Sequence, residues 1–289
     1  MTIETLLTQA YGRLSGLSET AQLDAQLLLA HALDVSPTYF FTWPKKAVSE
    51  ESRQAFEGLL KRREKGEPIA YILGEQDFWS LSLETSPSTL IPRADTERLV
   101  EVALELMPSG ASRIVDLGTG TGAIALALAK EWPASQVIGV DYQVEAVQLA
   151  ERNAQRNSIS NVAFRQSDWF SALIDEAPFD LIVSNPPYID PEDEHLSQGD
   201  VRFEPLTALI AEDHGLADIR HIIKQAVSYL SPLGWLMFEH GYDQGESVRK
   251  LFNEHGFMEV ATHQDLGGND RVTIGRLPEQ GVTEHSRGG

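Results

Sequence analysis

The chain contains no cysteine. Disulfides, thiolate metal sites and thiol catalysis are thereby excluded. Long apolar runs are missing too; none approaches the roughly 18 residues of a membrane span. The eight histidines include no pair spaced as in H-E-x-x-H, so no metal is expected, and His240 in "FEHG" reads as structural. Bases are in short supply, 23 against 43 acids, which gives a formal net charge of −20. Such a chain repels a phosphate backbone at long range, and this counts against direct contact with nucleic acid. The one basic cluster, "KRREK" from Lys61 to Lys65, closes a helix pattern just before Gly66. Bases there complement the helix C-terminal dipole, with Gly66 as a C-cap candidate, so the cluster reads as structural. The stretch "MTIETLLTQAYGRL" carries an acid early and lacks a basic leader before an apolar segment. It does not read as a signal peptide, and a cytoplasmic location is expected.

What is present falls into two styles. Up to about residue 75 the pattern is helical. Ile3, Leu6, Leu7, Ala10, Tyr11 and Leu14 share one face at 3.6-residue spacing. "SETAQLDAQLLLAHAL" and "SEESRQAFEGLLKRREKG" repeat the style, each opening on a serine N-cap candidate. In "EQDFWSLSLETSPSTLIPR", Trp79, Leu81 and Leu83 alternate with polar residues ahead of Ser-Pro, which predicts a hairpin. From about residue 95 strands and helices alternate: "RIVDLG", "QVIGVD", "VAFRQSD", "DLIVSN", then "GWLMFEHG", "FMEVATHQD" and "RVTIGRL". This predicts an open α/β, Rossmann-like sheet with crossover helices. The chain thus divides into a helical domain over 1–75, a β-hairpin linker over 76–94, an α/β domain over 95–277 and a tail over 278–289. The tail has no apolar pattern and is expected to be disordered.

Polar groups gather at four successive strand ends. The first strand runs into "VDLGTGTGAIALALAKEW", where Gly118, Thr119, Gly120, Thr121 and Gly122 link an apolar strand to a helix. Glycines permit a tight turn and a close backbone approach by a ligand. The second strand ends at Asp141, whose carboxylate can accept from two ribose hydroxyls. Together they indicate a nucleoside-bearing cofactor without saying which, since "GTGTGA" also fits a dinucleotide pattern. Asp168 and Trp169 close the third strand and could meet an adenine amine and face; a helix N-cap followed by a core tryptophan is an equal reading. The fourth delivers "SNPPYID", residues 184–190. Proline donates no N–H, so the ladder stops there, and Asn185 and Pro186 each precede a proline and are pushed towards extended backbone. The result is a stiff loop that presents polar groups at a strand end.

"VDLGTGTGAIALALA", "NPPYI", "AYILGEQDFW", "LIPRADTE", "RFEPLTAL" and "DLGGNDRVTIGR" resemble the signatures of the PrmC/HemK family. These are S-adenosylmethionine-dependent methyltransferases that methylate the glutamine of the Gly-Gly-Gln motif in peptide chain release factors. The similarity covers about residues 1–277. "NPPY" alone is shared with enzymes acting on adenine amines; its combination with the helical part and the IPR-x-DTE stretch is more specific. Ala94 departs from the family's usual proline, while Arg93, Thr96 and Glu97 stand in place. The resemblance implies a class I methyltransferase fold, S-adenosyl-L-methionine as cofactor, and class I release factors as partners. It implies that Gly118 to Gly122 wrap the methionine part, that Asp141 holds the ribose, and that Asp168 and Trp169 bound the adenine. Asn185 would face both cofactor and substrate. Pro186, Pro187 and Tyr188 would complete the glutamine site, with Asn185, Pro186 and Tyr188 as the catalytic set. Leu90, Arg93 and Thr96 would line the other wall, although a salt bridge supporting the linker is an equal reading for Arg93. The helical domain would recognise the substrate.

A primary amide is a poor nucleophile, because its nitrogen lone pair is delocalised into the carbonyl. An enzyme must grip both N–H groups and aim the nitrogen. The Asn185 side-chain oxygen and the Pro186 carbonyl are the acceptors the loop offers, and Tyr188 could pack on the flat amide. Two other readings stand beside this one: an adenine-amine methyltransferase on nucleic acid, disfavoured by the charge, and a non-catalytic cofactor-binding scaffold.

Overall fold

The structure, a computed structural model, describes residues 1–108, 111–176, 178–197 and 199–279. The expected disorder of the tail falls mostly on residues 280–289, outside the described residues. The chain forms two units. One comprises Met1–Glu75 with Glu194–Phe203, the other Gln76–Asp193 with the chain from Glu204 onwards.

The first unit is helical: α1 (Ile3–Leu14), α2 (Ala21–Leu33), α3 (Tyr39–Thr42), α4 (Glu50–Glu64) and α5 (Ile69–Leu73). The stripe on α1 buries Ile3, Leu6, Ala10 and Leu14 against Leu28, Leu29, Phe56 and Leu60. Tyr11 was expected on that face but is 50% exposed; it lies roughly 80° around the helix from Ile3, at the flank of the stripe. Ser49 caps α4 by accepting from Ser52 N at 3.1 Å. Ser18 does not cap α2. Thr20 stands at that position without a side-chain capping bond, and the Ser18 and Thr20 hydroxyls both donate to the buried Asp24 carboxylate, at 2.7 and 2.8 Å. The Arg63 guanidinium completes this cluster, donating to Asp24 at 2.7 Å and to Asp200 at 2.9 Å. Lys61 pairs with Glu57 and Arg62 with Glu67. Three bases of "KRREK" are thus spent inside the unit, and Gly66 follows at φ +88°, just past the cap of α4.

The second unit opens with the hairpin β1 (Glu75–Phe78) and β2 (Leu81–Glu84). Trp79 sits in its turn at φ +58° rather than in a strand; the run is too short for Trp79 to pair, and its N–H goes to Glu97 instead. Then follow α6 (Glu97–Leu106), β3 (Arg113–Leu117), α7 (Ala123–Glu131), β4 (Gln136–Asp141), α8 (Val144–Arg156), β5 (Val162–Gln166), β6 (Phe179–Ser184), the short turn α9 (Glu212–Gly215), α10 (Ala217–Ala226), β7 (Leu230–Glu239), α11 (Gly245–Glu254), β8 (Met258–Gln264) and β9 (Asp270–Arg276). The sheet order is β5-β4-β3-β6-β7-β9-β8. The first five are parallel, and β9 runs antiparallel to both β7 and β8.

Alternation along each strand feeds both faces. Ile114, Leu181 and Met237 pack with α6, α7, α8 and the hairpin. Val115, Ile182 and Phe238 pack with α10 and α11. Parallel strands covered on both sides read in sequence as near-continuous apolar runs, as in β3, β4 and β6. The chain steps from β3 to β4 on one side and to β6 on the other. A crevice opens at such a reversal, beyond the carboxyl ends of the strands.

Candidate active site

A cavity of about 300 Å³ occupies that crevice, within the second unit. Its wall includes Gly118, Thr119, Gly120, Thr121, Asp141, Asp168, Trp169, Asn185 and Pro187 from the four strand ends. Leu90, Arg93 and Thr96 join from the stretch after the hairpin. Sheet topology gathers the four strand ends, and the stretch after the hairpin closes the wall opposite them.

The loop after β3 is drawn tight by Val140, whose carbonyl accepts from Gly118 N at 2.9 Å and Thr119 N at 2.8 Å. Gly118 and Gly120 adopt φ +71° and +53°, the left-handed region where glycine carries no penalty. A Cβ on Gly118 would stand 3.6 Å from the Trp169 ring. Gly122, expected at the cofactor, does not line the cavity. A Cβ there would come within about 3.1 Å of Ala150 on α8 and Phe164 on β5, so the missing side chain lets these elements approach the start of α7 closely.

Asp141 accepts from Gly120 N and Gln143 N, both at 2.9 Å, one on each oxygen. Burial pushes its pKa up, and these backbone donors oppose the rise. Each oxygen keeps a second lone-pair site. Asp168 is exposed, and Trp169 is held at φ +47°, an uncommon conformation for a bulky side chain and one that clusters at functional sites.

Asn185 ends β6 with its Nδ2 donating to Thr96 Oγ1 at 3.2 Å. Its Oδ1 has no hydrogen-bond partner among the described residues. Pro186 and Tyr188 were expected at the substrate side, but neither lines the cavity. The Tyr188 hydroxyl is turned to the buried carboxylate of Glu239, at 3.2 Å, and its ring packs against the core beside α10 and α11. The loop is tethered from beyond: Ile189 N donates to Leu209 O and Gln244 Nε2 to Tyr188 O. Gly215 lies so close that a Cβ would stand 2.0 Å from the Tyr188 carbonyl oxygen. Arg93 pairs with Glu204, whose side chain is fully buried, so it lines the cavity and forms a salt bridge at once.

Several wall residues escaped the sequence reading. Thr207 and Ala208 belong to "RFEPLTAL", where nothing in the spacing singles them out. Asp218 is one acid on an amphipathic helix and gave no signal. Asp116 lies beneath the glycine loop, fully buried, with Oδ2 accepting from Thr119 Oγ1 at 2.6 Å and Oδ1 unpartnered among the described residues. With no cation beside it, burial pushes its carboxyl up to about 7. Its place in "VDLG" was the available clue.

Three acids, Asp141, Asp168 and Asp218, face the cavity against one base, Arg93, which is already paired. A pyrophosphate would be repelled here, whereas a cationic ligand would be attracted. This separates the two ligands the glycine loop left open. S-adenosylmethionine fits, carrying a sulfonium and an ammonium.

Comparison with known proteins follows the same line. Residues 108–274 match a methyltransferase domain and residues 5–74 the PrmC N-terminal domain. A methyltransferase from Pyrococcus furiosus superposes with a TM-score of 0.53 at 19% identity, covering 76% of this chain and 98% of that one. A T. thermophilus 16S rRNA methyltransferase does so with a TM-score of 0.52 at 20% identity, over 70% of this chain and 49% of that one. Fold and site define a class I S-adenosylmethionine-dependent methyltransferase. Release factor glutamine methyltransferases are 56% identical in Aliivibrio fischeri (96% of this chain, 98% of the relative) and 53% identical in Escherichia coli (90% and 93%). The chain belongs to this family, the release factor glutamine methyltransferases, as its resemblance to PrmC/HemK sequences implied.

Proposed function

We propose that this enzyme transfers a methyl group from S-adenosyl-L-methionine to the side-chain amide nitrogen of the glutamine in the Gly-Gly-Gln motif of class I release factors. The observation that carries the proposal is Asn185. Its amide nitrogen is held by Thr96 while its oxygen has no partner among the described residues at the cavity wall. S-adenosylmethionine supplies an electrophilic methyl on a sulfonium leaving group, and the residues present do the rest. Asn185 Oδ1 accepts one N–H of the glutamine amide. The Pro186 carbonyl, which follows Asn185 on the same loop and accepts no hydrogen bond among the described residues, takes the other, from beside the cavity wall rather than within it. Both bonds tighten as the attacking nitrogen becomes more acidic, so they favour the transition state over the ground state. Pro187 walls the approach. Orientation of the nitrogen is the main contribution.

The glycine loop from Gly118 to Thr121 cradles the methionine part, Asp141 takes the ribose hydroxyls, and Asp168 and Trp169 border the adenine. Asp141→Ala is expected to weaken S-adenosylmethionine binding by about 1.5–3 kcal/mol, the scale of charge-assisted hydrogen bonds. Calorimetry checks this, and unchanged affinity in a folded variant removes Asp141 from the ribose site. The helical unit serves substrate recognition, a reading supported by its match to the PrmC N-terminal domain. No helix among the described residues is long and apolar enough to cross a membrane, which is consistent with action in the cytoplasm, where release factors work. The deciding experiment offers labelled S-adenosylmethionine with intact release factor, DNA and RNA together. Label is expected in the release factor; label in nucleic acid would instead establish the adenine-amine reading.

A further inference from the structure

Gln244 stands just before α11 and outside the cavity wall. Its side-chain amide makes three hydrogen bonds. Oε1 accepts from Gly241 N at 2.9 Å. Nε2 donates to the Tyr188 carbonyl at 3.0 Å and to the His214 carbonyl at 3.1 Å. These partners allow one orientation. A backbone N–H can only donate and a backbone carbonyl can only accept. The amide oxygen must therefore face Gly241, and the amide nitrogen spends its two protons on Tyr188 and His214. The base of the side chain is held too, since Gln244 N donates to Gly241 O at 3.0 Å. One residue thus joins three places in the chain: the loop after β6, the end of β7 and the turn α9.

The turn that Gln244 ties to the loop is strained. Asp213, His214 and Gly215 adopt φ +56°, +55° and +80°. Two successive non-glycine residues in the left-handed region persist where the surroundings over-determine them. Here they press the Gly215 backbone against the Tyr188 carbonyl and bring the His214 ring to Asp190 at 2.8 Å. The peptide unit between Tyr188 and Ile189 is gripped at both edges, its carbonyl by Gln244 and its N–H by Leu209 O at 2.9 Å. Two grips fix the plane of a peptide; one alone leaves it free to turn.

That plane governs what lies upstream. Pro186 and Pro187 fix φ at their own positions and hold Asn185 and Pro186 in extended backbone. Few soft torsions remain between the end of β6 and Tyr188. The segment is a short stiff arm. Its near end is held where Ser184 pairs with Leu117 and Phe238, and its far end by Gln244. Turning the far end turns the Pro186 carbonyl and the Asn185 side chain with it.

We propose that Gln244 is a positioning residue for methyl transfer: by gripping the Tyr188 carbonyl from outside the cavity, it sets the direction in which Asn185 and Pro186 present their acceptors. The proposal rests on the reading of Asn185 as an acceptor for the substrate amide. Its effect falls on the rate, because a misplacement of about 1 Å can cost about 10²-fold in a reaction that depends on alignment.

The test measures kcat and KM for intact release factor, the dissociation constant for S-adenosylmethionine and the melting temperature, with rates taken well below each melting temperature. Gln244→Glu keeps the shape and the acceptor for Gly241 N, but its ionised carboxylate has no proton for the two carbonyls. Gln244→Ala removes the grip without placing a charge there. Each is expected to lower kcat by about tenfold or more, with KM and cofactor affinity within about twofold, the pattern of an interaction that matters in the transition state. A wild-type kcat in either folded variant would overturn the proposal, as would a loss confined to KM or to melting temperature. In a crystal structure of Gln244→Ala the Tyr188 carbonyl is expected to have turned; a slow variant with that carbonyl in its original place would also overturn the proposal. Should Gln244→Glu fail to fold, Gln244→Ala decides on the same terms. Asn185→Ala, assayed alongside, separates the two levels. If it is slow while the Gln244 variants are fast, the role of Asn185 stands and that of Gln244 falls. If it is fast, the reading of Asn185 falls and the proposal with it.

Discussion

Asn185→Ala is expected to leave the fold intact and to lower the rate of methyl transfer by about 10²- to 10³-fold, the scale seen when one preorganised hydrogen-bonding group is deleted from a site where charge develops. The fold should survive because the side chain makes a single hydrogen bond among the described residues, from Nδ2 to Thr96, and the extended backbone at this position is imposed by the following proline rather than by the side chain. The rate should not survive. Without Oδ1, one N–H of the substrate amide has no acceptor, and the nitrogen is no longer aimed. Rapid-quench or steady-state rates with intact release factor measure the effect, and calorimetry with S-adenosylmethionine tests whether the cofactor site persists. Turnover within a few-fold of wild type would end the role assigned to Asn185.

Arg63→Met is expected to destabilise the protein by about 3–5 kcal/mol, the range for removing one partner of a buried ion pair. Arg63 and Asp24 side chains are 8% and 4% exposed. Methionine replaces much of the arginine stem but leaves the Asp24 carboxylate buried without a positive partner. The hydroxyls of Ser18 and Thr20 still donate to it, at 2.7 and 2.8 Å, and do not neutralise it. Urea unfolding followed by circular dichroism reads the loss. Adding Asp24→Asn to the same chain is expected to recover part of it, since no uncompensated charge then remains. A loss below about 1 kcal/mol would put the pair in the class of surface bridges.

The sheet was legible because its central strands β3, β4, β6 and β7 are short apolar runs bounded by turn residues, and because the glycine loop and "NPPY" mark where strands stop. Their meeting at one cavity follows from a rule about parallel sheets that needs no coordinates. Side-chain direction was less legible. Gly122 reads like its neighbours in "GTGTG", yet its missing Cβ serves helix packing. Tyr188 reads as part of a substrate motif, yet its hydroxyl answers a carboxylate fifty-one residues further on. Asp116 and Asp218 needed the third dimension, since a single acid in an apolar strand or on a helix carries no period. Residues 194–203 were invisible as members of the helical unit. They have no amphipathic pattern of their own, and Arg63 holds them there through Asp200.

That last attachment matters for the order in which the protein is made. Asp200 lies 137 residues after Arg63. A ribosome adding roughly 5–20 residues per second needs roughly 7–27 s to go from one to the other. Through that interval the newborn helices can bury Ile3, Leu14, Leu28 and Phe56, but Arg63 has only half of its acidic company. The helical unit is therefore finished only after β3 to β6 and the Asn-Pro-Pro-Tyr loop have been translated, and a nascent chain stalled before residue 200 carries a helical unit that is still waiting for its last segment.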